Sequence, residues 1–233
     1  MKTHFSPRLR RAWHRPERAT SAVAASVAGY SLIELLAVMA IISVMAMGMP
    51  ALRSVMNSYS LKSAGQAIQA QLSYARQEAL TSNRAVQVRL YKVSDSENPS
   101  SAPQYRAMQS FRETTDASGT LVLTPISPVT FLPSGIVFTD TVTAAATLFA
   151  TGTSGATVNT TGDTAWPLPP PHGASPFLSF RFRSNGQTDL SASSFFTIVP
   201  TRAPIVKNEL PANFITFQID SINGAVRAWQ PGS

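Results

Sequence analysis

The chain contains no cysteine. That excludes a disulfide framework, thiol catalysis and cysteine-ligated metal. Histidine is scarce: His4 and His14 lie near the start, which leaves His172 inside a proline-rich stretch. A Ser-His-Asp arrangement or a histidine metal site would have to rest on that one imidazole. Charged residues are only 13% of the chain. The acidic ones are scattered and no pair stands out, so the two carboxylates of glycoside hydrolysis have no support. Thr151-Gly-Thr-Ser-Gly155 lacks the lysine and the strand–helix setting of a phosphate loop. These absences point away from an enzyme and call for no cofactor and no metal.

The net charge of +7 suggests at face value a nucleic-acid or acidic-membrane partner. Most of it is N-terminal. Lys2, Arg8, Arg10, Arg11, Arg15 and Arg18 against Glu17 leave the first 29 residues at +5 and the rest at +2. The basic balance therefore says little about the remainder, which is long enough to bury a sizeable core.

What the sequence does have is one long apolar run. From Tyr30 to Met49 a single charge, Glu34, interrupts it. About twenty helical residues span roughly 30 Å, the thickness of a bilayer's hydrocarbon core. A secretory signal core has only about 7–15 residues. The run is thus a membrane span or a helix buried on all sides. A carboxylate at mid-membrane costs roughly 2.5–3.5 kcal/mol, and less near an end, where Glu34 lies. Six basic residues precede the run, while only Arg53 and Lys62 follow closely. That asymmetry keeps the N-terminus cytoplasmic and sends the rest across the inner membrane into the periplasm.

Gly29-Tyr-Ser-Leu-Ile-Glu34, after a basic leader and before an apolar helix, resembles the prepilin cleavage and methylation motif of type IV pilins and type II secretion pseudopilins. The resemblance implies that prepilin peptidase cuts between Gly29 and Tyr30 and methylates the new amine of Tyr30. Tyrosine stands where these families mostly carry phenylalanine. Glycine suits a cut site because it offers no Cβ to a protease cleft. The new amine, with a reference pKa of about 7.7–8.0, is mostly protonated at neutral pH. It lies one helical turn from Glu34. In a bundle of such helices the Glu34 of one subunit accepts the amine of its neighbour, which offsets the cost of burying either charge.

Pro50 ends or kinks the span. Helical periodicity then resumes with Leu61, Gly65, Ile68, Leu72, Ala75 and Ala79 on one face, and predicts a helix to about Ser82 with Asn83 near its end. Beyond it the sequence reads as strands. Ala85–Val93 alternates, and Asp116-Ala-Ser-Gly119 joins Tyr105–Glu113 to Thr120–Ile126 as a hairpin. Val129–Phe138 holds Pro133 and Gly135 and reads as a broken or edge strand. Residues 142–176 are rich in Thr, Ala, Gly and Pro and read as a low-complexity insertion. Asn185-Gly186 turns Pro176–Ser184 back into a strand around Leu190. Phe195–Val199 and Asn213–Ile222 follow, then Asn223-Gly224 and Ala225–Trp229.

Ala75, Arg76, Glu78, Ala79 and Leu80 followed by Val86-Gln-Val-Arg-Leu90, together with the ending Phe217–Arg227, are similar to the GspH/FimT group of minor pseudopilins. The leader, the helix and that ending also resemble the D proteins of a Verrucomicrobia/Chthoniobacter four-gene cassette. Within this frame Arg76 and Glu78 read as solvated or helix-end charges.

The expected architecture is α+β and pilin-like: a long N-terminal helix packed on an antiparallel β-sheet head. Its parts are a leader at 1–29, a transmembrane and assembly helix at 30–50, an amphipathic helix at 51–83 and a periplasmic head at 84–233. The resemblance implies prepilin peptidase and other pilins or pseudopilins as partners, in a type II secretion or type IV pilus-like filament. Two alternatives stand beside it: a DNA-binding minor pilin for DNA uptake, and a monomeric signal-anchored periplasmic domain. For DNA the candidates are Arg181 and Arg183, on the face of Phe180-Arg-Phe-Arg183 opposite the phenylalanines, with Arg227 and Trp229 on the closing hairpin.

Overall fold

The computed structural model describes residues 30–142, 145–150, 152, 154–202 and 209–231, the side chains of 47–55 and 57 excepted. The expected leader, Gly29 included, lies outside them. The chain divides into two compact units, 1–48 and 49–233.

In the first unit the helix begins at Leu32, one residue after Ser31, whose carbonyl accepts the N–H groups of Glu34 at 3.0 Å and Leu35 at 3.1 Å. Every described side chain from Tyr30 to Ala46 is exposed. Among the described residues no helix is long and apolar enough to cross a membrane. The described side chains of the apolar run stop at Ala46, short of the roughly twenty residues a span needs.

Helix α1 continues as one element past Pro50 and ends at Ser82. In the second unit it buries Leu61, Ala64, Ile68, Leu72, Ala75 and Ala79. These recur every three or four residues and so share one face. Asn83 takes φ +50, the left-handed conformation that closes many helices.

The head is one antiparallel sheet. Its strands are β1 (Val86–Val93), β2 (Gln104–Thr115), β3 (Leu121–Pro125), β4 (Thr130–Phe131), β5 (Ile136–Thr139), β6 (Thr157–Asn159), β7 (Phe177–Phe182), β8 (Ser194–Pro200), β9 (Ile215–Ile219) and β10 (Val226–Trp229). The order across the sheet is β10-β9-β8-β5-β2-β1-β7-β6, with β3 and β4 also paired to β2. Together with α1 this is the expected α+β, pilin-like architecture.

The register assigns the faces. Val86, Val88 and Leu90 of β1 and Leu178, Phe180 and Phe182 of β7 share one core cluster with the buried residues of α1. Tyr91, Ala107, Phe177 and Leu168 form a second cluster. Tyr91 is opposite Ala107 and Phe177 in the register, so this cluster sits on the other face. Strand β1 is therefore buried on both faces, and its strict alternation in sequence does not translate into one wet side.

Several expected elements are found. Gly119, at φ +84, turns the β2–β3 hairpin, and the Asp116 carboxylate accepts the N–H groups of Ser118 and Thr120 at 2.8 and 2.9 Å. The closing hairpin β9–β10 is present in full. Others differ. The expected edge strand at 129–138 is two pieces, and β5 lies inside the sheet between β2 and β8. Pro133 and Gly135 fall in the loop before it, which leaves Ile136–Thr139 free to pair on both sides. No strand forms around Leu190. The Asn185-Gly186 turn returns only one bridge, Phe182 with Thr188. Thr188 N–H then donates to Ser221 O at 3.1 Å, and Leu190 enters the core. The low-complexity stretch contains a 3-10 turn at Thr147–Phe149, strand β6 and the buried Leu148 and Leu168. Its small polar residues close turns, as when Asn159 Oδ1 accepts the N–H groups of Thr161 and Gly162. Arg76 and Glu78 are not merely solvated. Arg76 Nε donates to Asn223 O at 2.9 Å, and Glu78 pairs with Arg112 at 3.1 Å.

Candidate functional site

The N-terminal element presents its chemistry openly. Tyr30 is 82% exposed, and Glu34 is the acidic residue of the first helical turn. A carboxylate there is favoured by the N–H groups that the first turn leaves unpaired. Leu32, Ile33, Leu35, Leu36, Val38 and Met39 are all exposed beside it. An apolar helix with no buried side demands a cover of lipid or of other helices.

The arginines of the head are distributed differently from the sequence expectation. Phe180 and Phe182 are buried and Arg181 is exposed, as strand alternation requires. Arg181 is engaged: its Nε donates to Asp189 Oδ2 at 3.0 Å, and Nη1 lies 3.6 Å from Glu113 Oε2. The hydrogen bond it donates to Asp189 raises its pKa further, burial opposes this, and the charge of Glu113 adds to it. Arg183 lies past the end of β7, in the turn that its N–H closes onto Gln187 O. Arg227 sits on β10 opposite Gln218, and Trp229 is 45% exposed on the same strand. Five strands separate β7 from β10. What the fold brings together is their turns: Ser221 O accepts Thr188 N–H, and Gly224 packs on Phe182.

One group of polar side chains that the fold does concentrate lies on the sheet face away from α1. The Arg89 side chain is 4% exposed, and its guanidinium carbon sits 4.5 Å from the Phe111 ring centroid and 4.3 Å from that of Phe177. Nη1 donates to Asp163 Oδ2 at 2.8 Å and Nε to Gln87 Oε1 at 2.7 Å. Trp166 packs against Phe111, with ring centroids 5.9 Å apart. Burial alone pushes the Asp163 pKa up. The hydrogen bond from Arg89 and the backbone N–H of Ala165 outweigh this and hold it below the ordinary carboxylate range. Asp95 is held down in the same way against burial, by the N–H of Glu97 and by Arg106, whose Nη1 donates to it at 2.6 Å.

These are guanidinium–carboxylate locks, and none places a nucleophile beside a base. His172 packs its ring on Phe131 at 5.4 Å. Among the described residues no group of three or more His, Cys, Asp or Glu gathers to hold a metal ion. The sequence reading missed Arg89, Asp163, Asp95 and Arg106 as a class. Arg89 stands at the polar register of an alternating strand, so nothing in the alternation marked it as buried; once covered, such a charge must find a partner.

Comparison with known proteins gives three results. The family model described as Type II transport protein GspH matches residues 64–205, more than half the chain, and the Prokaryotic N-terminal methylation motif matches residues 25–50. No curated protein sequence matches significantly. Among solved structures the chain is similar to the type IV minor pilin FimU of Pseudomonas aeruginosa, at 16% identity and a TM-score of 0.38, covering 74% of this chain and 93% of that one. It is also similar to the minor pseudopilin EpsH from the Type 2 Secretion System of Vibrio cholerae, at 14% identity and 0.38, covering 75% and 99%. With more than half its length matched by that family model, the chain belongs to the GspH family of type II transport proteins.

Proposed function

We infer that the chain is a structural minor pseudopilin, cut by prepilin peptidase between Gly29 and Tyr30 and methylated on the new amine. The observation that carries this reading is the methylation motif at 25–50 set directly on an apolar helix whose side chains are exposed from Tyr30 to Ala46. Such a helix has two uses in sequence. Before assembly it anchors the chain in the inner membrane, with the basic leader cytoplasmic and the head periplasmic. After assembly other helices of the same kind cover it, in a type II secretion or type IV pilus-like filament. Glu34 then serves as acceptor for the cationic amine of a neighbouring Tyr30. The role is one of packing and charge pairing, and it needs no catalytic group in the head.

Mass spectrometry of the protein recovered from membranes tests this. The N-terminal residue should be a methylated Tyr30, and replacing Gly29 with a bulky residue should leave the precursor uncut. A mature start near Met49, after the small residues Ala46 and Gly48, would mean ordinary signal peptidase and end the reading.

A further inference from the structure

We propose that Asn159, at the end of the edge strand β6, is an N-glycosylation site: its side-chain nitrogen takes a glycan from a lipid-pyrophosphate donor at the periplasmic face of the membrane. The proposal rests on the reading above for the compartment alone.

Two observations carry it. The first is chemical. Asn159-Thr160-Thr161 is an acceptor triplet: asparagine, any residue but proline, then serine or threonine. The other asparagine with a hydroxyl residue two places on is Asn98, and there Pro99 stands between Asn98 and Ser100 and rules the triplet out.

The second is geometric. Asn159 Oδ1 accepts three hydrogen bonds, from Thr161 N–H at 3.0 Å, Thr161 Oγ1 at 3.2 Å and Gly162 N–H at 2.8 Å. They fix the plane of the carboxamide and tie the threonine hydroxyl to it. Among the described residues Nδ2 donates to nothing, and it is not one of the unpaired atoms sealed from solvent. Thr160 and Thr161 are exposed. The turn has a firm base: Gly162 takes φ +85, and a Cβ there would lie 2.7 Å from the backbone of Ala174 and Ser175. The free nitrogen is thus presented by an anchored turn.

The place also fits the product. β6 ends the strand order and pairs with β7 alone. Open N–H and C=O groups on an edge invite pairing with another chain, and natural edges are blunted by lysine, proline or a bulge. Thr157-Val158-Asn159 carries neither charge nor proline, and Thr157 and Val158 are exposed. A bulky, solvating glycan on the last residue of this strand covers that edge.

The step balances without oxidation or reduction. Nδ2 bonds to the anomeric carbon as the bond from that carbon to the pyrophosphate oxygen breaks. The lipid pyrophosphate leaves with the electron pair, and a base of the transferase takes one Nδ2 proton.

Peptide mass spectrometry of the full-length protein, purified from the membranes of its native host, tests this. The peptide that holds Asn159 should carry an added glycan mass, placed on Asn159 by fragmentation, and the peptide with Asn98 should carry none. Asn159→Gln and Thr161→Ala should lose the mass. Thr161→Ser, which keeps the hydroxyl and the turn, should retain it. A bare Asn159 overturns the proposal. So does mass on the threonine oxygens instead, mass that persists on Asn159 in Thr161→Ala, or its loss from Thr161→Ser. The N-terminal peptide of the same digest reads the processing separately. If it begins at a methylated Tyr30 while Asn159 is bare, the glycan falls and the filament reading stands. If Asn159 is modified and the N-terminus is not Tyr30, the filament reading falls and the glycan stands.

Discussion

Asp163 reaches Arg89 across 74 positions of sequence and closes a 2.8 Å ion pair over the face of the sheet that α1 does not cover. The pair is asymmetric. The Arg89 side chain is almost wholly buried between two phenylalanine rings, while Asp163 keeps 22% of its side chain in solvent. It ties the Thr- and Pro-rich stretch down over Tyr91, Ala107 and Phe177, where Leu168 completes the second cluster.

The asymmetry sets an order of costs. Asp163→Ala should destabilise the protein by about 2–3 kcal/mol, somewhat under the usual cost of breaking a buried pair, because Gln87 and the rings still hold the guanidinium. Arg89→Met should cost less. Methionine keeps the apolar stem between the rings, and the partly exposed Asp163 hydrates. Urea unfolding of the two variants in detergent checks the order; a larger loss for Arg89→Met would contradict it.

Asp163 and Asp95 both have pKa values lowered in the folded protein. Groups of this sign contribute stability that is fully present above the unfolded carboxylate pKa of about 3.9. The contribution is lost as pH falls through the depressed folded values. Unfolding midpoints should therefore be flat from pH 7 to about 5 and drop below about 4. Asp163→Asn should flatten part of that drop, which a pH series of denaturation midpoints reads directly.

Gly224 is fixed by its surroundings. Its φ is +66, and a Cβ there would overlap the carbonyl oxygen of Gly186 and crowd the Phe182 ring at 3.2 Å. Gly224→Ala should cost about 2–4 kcal/mol, combining overpacking with left-handed strain. Gly119 also has positive φ, but a Cβ there meets nothing within 4 Å. Gly119→Ala should cost only about 1–2 kcal/mol. Thermal unfolding of the pair separates the two causes.

On the proposed reading Glu34→Ala should be processed normally, since the carboxylate lies a helical turn beyond the proposed cut between Gly29 and Tyr30. It should cross-link poorly to other pilin-like chains in membranes, because the neighbouring amine loses its acceptor. Undiminished cross-linking would leave Glu34 as an ordinary headgroup-level carboxylate.

Much of the molecule was legible in the sequence wherever the signal was local. The motif Gly29–Glu34 needs only six neighbours. The end of α1 at Ser82 follows from its periodicity and from Asn83, and the Asp116–Gly119 and Asn223-Gly224 turns follow from residues that tolerate or create tight turns. What depended on distant pairing was not legible. Pro133 and Gly135 made 129–138 look like an edge, yet they fall just outside β5, and only the strand order reveals that Ile136–Thr139 lies inside the sheet.

The sequence by itself therefore determined the long helix, its buried stripe, the processing motif and the hairpins at Asp116–Gly119 and Asn223-Gly224, because each is written within a turn or two of chain. The tertiary structure alone decided that Arg181 is held by Asp189 and Glu113, that Arg89 finds Asp163, and that the Thr- and Pro-rich stretch covers the second face of the sheet. A buried charge must find a partner, but only the packed sheet decides which charges are buried. Which partner it takes is set by strand order and register, and those are properties of the whole sheet.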